Sequence, residues 1–110
     1  MSTTSNPTPP VAAPPRLDPI LVFSALGNPL RWRIVKQLAD GKCHCVADLS
    51  KAMGMKSNGI GKHLGILRDA GILILVADEK SDGRMYWHHL PAVFRATPGV
   101  LDFGCCVVRL

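Results

Sequence analysis

A chain of 110 residues, 47% hydrophobic and 19% charged, suits one compact globular domain with a tail, which excludes wholesale disorder and a separate catalytic domain. Its longest apolar runs, such as Ile72 to Ala77, are far shorter than the roughly 18 residues needed to cross a bilayer. The N-terminus has no positive cluster leading into an apolar stretch, so a cytoplasmic protein with no membrane partner is expected. Thirteen Lys and Arg against eight Asp and Glu leave a net charge of +5, an excess that favours a polyanionic partner.

In chain order, Met1 to Pro15 holds Pro7, Pro9, Pro10, Pro14 and Pro15 and almost nothing large and apolar. Residues 1–16 are therefore expected to be a disordered, proline-rich tail. From Asp18, a plausible N-cap with Pro19 at the first helical position, Ile20, Leu21, Phe23, Ala25 and Leu26 have the density of a short buried helix that Gly27 and Asn28 stop. Pro29 opens a second helix in which Leu30, Ile34, Val35 and Leu38 recur at helical spacing up to Asp40 and Gly41. Asp48 to Met53 reads as a short third helix ended by Gly54. In the fourth, Ser57 to Ala70, Ile60, Leu64 and Leu67 mark a core face. Asn58, Gly61, Lys62, Gly65 and Asp69 lie on the opposite one.

Beyond Gly71 the texture changes. Ile72 to Val76, the charged turn Asp78 to Gly83, and Arg84 to His89 read as a β-hairpin. Leu90 to Ala96 fits a short helix broken before Pro98 and Gly99. The apolar stretch Val100 to Leu110 is expected to pack on the core or on a second subunit, as a helix, a strand or an exchanged arm.

Three helices, a fourth about 21 Å long, and a charged hairpin make the order of a winged helix-turn-helix, mainly α with a small β-hairpin wing. Between Lys51 and Arg68 the basic residues Lys51, Lys56, Lys62 and Arg68 meet no acid, so a positive field should cover the fourth helix.

Residues Phe23 to Leu90 resemble the ArsR/SmtB-type bacterial repressors. ALGNPLRWRIVKQLADG (Ala25 to Gly41) is similar to their opening helix pair and VADLSKAMGM (Val46 to Met55) to their third helix. KHLGILRDAGIL (Lys62 to Leu73) is similar to the end of the recognition helix and GRMYWHHL (Gly83 to Leu90) to the second wing strand. The resemblance implies a homodimer that binds a palindromic double-stranded DNA operator through residues 17–92, with residues 93–110 serving dimerisation or effector sensing.

Where the family has Ser or Thr, this chain has Gly59 and Gly61, with Gly65 beyond. A helical glycine costs about 1 kcal/mol relative to alanine, so three cost roughly 3 unless close approach to a backbone or phosphate accounts for them. Ser57, Asn58 and Lys62 are the candidates for direct contacts, and Lys56, Arg68 and Arg84 for phosphates. His63, beside Leu64, reads as a hydrogen-bonded core histidine.

Four cysteines in a cytosolic chain point to free thiols, metal ligands or redox switches rather than structural disulfides. Cys45 falls where arsenic-responsive relatives have the first cysteine of C-V-C-x-x-C, but Ala47 and Ser50 occupy the other two places, and Lys36 replaces the persulfide sensors' second-helix cysteine. The remaining expectation is a thiolate site joining Cys43 and Cys45 to Cys105 or Cys106, within one subunit or across the dimer. It would take a thiophilic effector such as arsenite, cadmium, zinc or copper, which the fold itself does not require. Vicinal cysteines on a strand would face opposite ways. The expected protein is a repressor released by such an effector. The alternatives are a thiol-redox or persulfide-responsive repressor and a winged-helix interaction module without sequence-specific DNA binding. An enzyme is not expected, because no nucleophile, base and orienting group share a suggestive spacing.

Overall fold

The computed structural model describes residues 16–77 and 86–110, so the proline-rich segment, the Asp78 to Gly83 turn and Arg84 lie outside the described residues. Asp18 caps α1 (Pro19–Leu26), accepting the Ile20 amide at 2.9 Å. Asn28 caps α2 (Pro29–Leu38), accepting the amides of Leu30 and Arg31 at 2.9 and 3.2 Å. In both helices a proline follows the cap, at a position whose N–H has no intrahelical partner to lose.

The third helix, α3 (Val46–Met53), starts two residues earlier than the sequence suggests, with Cys45 at the N-cap and no side-chain capping bond. Asp48 lies inside its first turn. Gly54 ends the helix in the left-handed region at φ 64, a conformation that other residues enter at a cost. The turn from Gly54 to Lys56 leads into α4 (Ser57–Asp69).

Ile60, Leu64 and Leu67 of α4 are buried against α1, α2 and α3, as their spacing predicts. Ile72 and Leu73 are buried with them rather than belonging to the wing. The wing pairs β1 (Ile74–Ala77) with β2 (Tyr86–His89) in antiparallel register, Ile74 opposite His89 and Leu75 opposite His88. On the other side of β2, His44 forms a short bridge with His88, their amides and carbonyls exchanging bonds of 2.9 and 2.7 Å.

Past a 3₁₀ turn (Ala92–Arg95), the last stretch is a second hairpin, β3 (Val100–Asp102) with β4 (Val107–Arg109). Leu101 and Phe103 enter the core, and the Phe103 ring meets Phe94 edge-on at 5.1 Å, a favoured aromatic geometry. The Phe103 carbonyl accepts the Leu17 amide at 3.2 Å, fastening this hairpin to the start of α1.

The expectation that α1 is a buried helix needs correction. Val22 and Ala25 are buried, whereas Ile20 is 72% and Phe23 56% exposed and Leu21 is also exposed. Nothing among the described residues covers that face. Val107 and Leu110 of the terminal hairpin are exposed as well.

Candidate nucleic-acid interface

The α3–turn–α4 unit leaves one side of α4 to solvent because its three large apolar residues point the other way. Lys56 precedes the first turn, Ser57 and Asn58 form it, and Lys62 lies one turn further along. All four are exposed and share the N-terminal half of the helix. Amides not used within the helix and the helix dipole add a partial positive charge at that end.

Contacts among the described residues do not explain the three glycines. A Cβ at Gly61 would meet nothing within 4 Å, one at Gly65 would have Arg68 Nη2 at 3.9 Å, and one at Gly59 would have the Met55 methyl at 3.8 Å. The outward surface of α4 is thus low around Lys62, and the missing side chains free space outside the protein.

Arg68 stands apart from this group. It is in the last turn of α4, about 16 Å along the axis from Ser57 at 1.5 Å per residue, and its Nη1 donates to His88 Nε2 at 3.3 Å. Arginine is a donor only, so His88 accepts through Nε2 and carries its proton on Nδ1, which is buried and meets no partner among the described residues. Burial first and the Arg68 guanidinium second hold the His88 pKa below the ordinary histidine value. Arg68 therefore ties α4 to the wing.

His63 is half-buried, and its Nδ1 accepts from Arg31 Nη1 at 3.3 Å. The same guanidinium donates through Nε to the Ala25 carbonyl at 2.6 Å and through Nη2 to the Ser24 carbonyl at 3.3 Å. One side chain of α2 thus holds the carbonyl end of α1 and the middle of α4. Sequence spacing carried no sign of either arginine contact, since the partners lie 32 and 20 residues apart.

The cysteines fall into two separate pairs. Cys43 is exposed and Cys45 buried at the start of α3, next to the His44 bridge. His44 Nε2 pairs with Asp40 Oδ2 at 3.0 Å. Cys105 and Cys106 lie in the β3–β4 loop with their sulfurs 3.7 Å apart, so strand alternation does not separate them. Among the described residues no three of His, Cys, Asp and Glu come together as a metal site, so a three-thiolate cluster from both pairs is not assembled within one chain. No helix among the described residues is long and apolar enough to cross a membrane.

Comparison with known proteins agrees with this architecture. A sequence model described as "Bacterial regulatory protein, arsR family" matches residues 28–74. The arsenical resistance operon repressor of Escherichia coli (strain K12) is 33% identical over 79 residues, covering 69% of this chain. This chain spans 65% of that relative's length. Reduced HlyU from Vibrio cholerae N16961 superimposes with a TM-score of 0.56 at 21% identity, covering 64% of this chain and 70% of its own. A probable transcriptional regulator from Pseudomonas aeruginosa does so with a TM-score of 0.55 at 24% identity, covering 70% and 60%. At such identities these two structures bear on the fold alone, and that fold is four helices with a small antiparallel hairpin, the winged helix-turn-helix. The segment 28–74 is thus similar to the arsR family of bacterial regulatory proteins, and the arrangement of elements is that of a winged helix-turn-helix.

Proposed function

We propose that the protein is a homodimeric transcriptional repressor that lays α4 in the major groove of an operator and leaves it when a thiophilic effector binds. The observation that carries this reading is the exposed, acid-free N-terminal half of α4, with Lys56 and Ser57 at its start and Asn58 and Lys62, four residues apart, on one face of a helix packed against three others. Ser57, Asn58 and Lys62 are the residues assigned to base edges, and Lys56 to a phosphate. Arg68 reaches DNA by letting go of His88, or else serves the wing. Arg84, outside the described residues, is assigned to a phosphate by sequence position.

The exposed apolar face of α1, with Ile20, Leu21 and Phe23, and the terminal hairpin residues Val107 and Leu110 supply the dimer surface. Apolar side chains left in water at this density are those that association removes from it. In the mechanism, the dimer sets two recognition helices one helical turn of DNA apart, about 34 Å, and the effector shifts the dimer away from that spacing. The name of the E. coli relative supports an arsenical or another thiophilic species as effector.

Fluorescence anisotropy with duplexes from upstream of the protein's own gene tests the reading. A sequence-selective complex is expected whose affinity falls steeply with salt. Lys56→Ala should weaken it and reduce the salt slope by about 1, and Lys62→Ala should weaken it and relax its sequence selectivity. Binding that ignores sequence and is unchanged in Lys62→Ala would refute it.

A further inference from the structure

Arg68 is exposed in the last turn of α4, yet its guanidinium is engaged by a neutral ring, with Nη1 donating to His88 Nε2 at 3.3 Å. His88 is only 4% exposed, so that nitrogen has little access to water while Arg68 holds it. The groups around the ring are few. From α4 comes Arg68, from β1 the apolar Leu75 opposite in register, and across the backbone bridge His44, whose own ring turns to Asp40 at 3.0 Å. Next in the strand, His89 also has a buried Nδ1 without a partner among the described residues. Among those residues no carboxylate bonds the His88 ring.

A phosphate suits a guanidinium better than an imidazole does, because it is anionic and matches the planar fork. The first turns of α4 carry the residues assigned to bases, and Arg68 stands about 16 Å from Ser57 along the axis, beyond the roughly 12 Å width of a major groove. With the start of the helix on the groove floor, Arg68 comes to the groove wall, which is phosphate backbone. Beside it the helix surface is bare, since a Cβ at Gly65 would lie 3.9 Å from Arg68 Nη2.

We propose that His88 holds Arg68 in reserve, and that binding duplex DNA takes up one solvent proton at His88 Nε2 while the guanidinium passes from that nitrogen to a backbone phosphate. The Nη1–H···Nε2 hydrogen bond breaks and an Nε2–H bond forms. An imidazolium has no lone pair with which to accept from arginine, and two cations 3.3 Å apart repel, so the proton and the guanidinium exclude each other. The linkage runs both ways. In the free chain, burial and then the Arg68 charge hold the His88 pKa below its ordinary value. Departure of Arg68 relieves both causes, since the charge moves off and Nε2 opens to water. His88 therefore takes a proton more readily in the complex than in the free chain, and acid favours the complex. The proposal rests on the DNA-binding reading for its partner, although a phosphate contact requires no particular base sequence.

Fluorescence anisotropy of the full chain at about pH 7.5 and about pH 5.5, on either side of the ordinary histidine range, tests this across a salt series with the upstream duplex and a scrambled one. Circular dichroism at each pH establishes that the chain is folded. At the lower pH affinity should rise, by up to about tenfold per pH unit for one proton. The plot of log K against log salt should also steepen by about 0.9, the mark of one added phosphate contact. Both changes should vanish in His88→Gln, whose amide oxygen can accept from Arg68 and takes no proton, and in Arg68→Gln. Arg68 is exposed, so the second variant decides the matter should the first fail to fold. His44, His63 and His89 stay in both variants and report any other titration. A salt slope that is the same at both pH values, or a pH effect retained in either variant, overturns the proposal. Selective binding without these pH effects overturns the switch and leaves the repressor standing. The same pH effects on both duplexes alike, with no selectivity, support the switch and overturn the repressor. Binding to neither duplex overturns both.

Discussion

Gly61 and Gly65 lie in the interior of α4, where, among the described residues, a Cβ would meet nothing within 4 Å at the first and Arg68 Nη2 at 3.9 Å at the second. Neither is among the positive-φ glycines, so alanine enters without strain. Each replacement should return the helix-propensity difference of about 0.8 to 1.0 kcal/mol, and the pair about 2 kcal/mol. For a domain of this size, each kcal/mol raises Tm by about 4 to 8 °C, so Gly61→Ala/Gly65→Ala should melt roughly 8 to 16 °C above the parent. Thermal unfolding followed by circular dichroism, with urea denaturation to obtain the midpoint at constant slope, measures this. The same variant then goes to the operator. If the bare helix surface lets a DNA backbone or base edge come close, the two methyl groups occupy that space, and the more stable protein binds more weakly. A Tm at or below the parent's would refute the packing analysis. A stabilised variant with undiminished affinity would refute the close-approach explanation of the glycines.

A second comparison separates backbone strain from steric displacement. Gly54 and Gly41 have φ of 64 and 81, but a Cβ at Gly54 meets nothing within 4 Å while one at Gly41 falls 2.6 Å from Arg95 Nη1. Gly54→Ala should cost about 1 to 2 kcal/mol of stability, and Gly41→Ala more, because Arg95 must also move. Equal losses in urea denaturation would show that Arg95 yields freely. A third prediction concerns pH. The His88 pKa is lowered on folding, by burial and then by Arg68. Below the unfolded value of about 6.5 the unfolded chain therefore takes up a proton that the native state resists, and stability falls on acidification. Stability measured between about pH 7 and pH 5 should decline less steeply in His88→Gln. An identical slope would remove His88 as the cause.

The helical part of the fold was legible because its signals are local. Asp18–Pro19 and Asn28–Pro29 each place an acceptor and a preset φ at a helix start, and Ile60, Leu64 and Leu67 define a core face by spacing alone. The start of α3 was missed for the complementary reason, since Cys45 at its cap has no side-chain capping bond and Asp48 drew the boundary inward. Ile72 and Leu73 were read into the wing because a short apolar run looks the same in a strand and in a buried connection. The terminal hairpin was left open, although Gly104 and the alternation through Val100, Leu101, Asp102 and Phe103 were the signal. The candidate site was legible as residue types on the helix and illegible as contacts. The Arg31–His63 and Arg68–His88 bonds join elements distant in sequence, and the closeness of the two terminal thiols depends on a loop rather than on a strand.

The guanidinium of Arg31 holds Ala25, Ser24 and His63 at once, which gives the molecule a mechanical property beyond the stability of each bond. In the proposed dimer, a torque applied to the first helix by the neighbouring subunit would pass through this guanidinium. It either rotates the fourth helix about the same pivot or snaps a charge-assisted bond, so small rearrangements far from the double helix would be delivered there as a change of pitch.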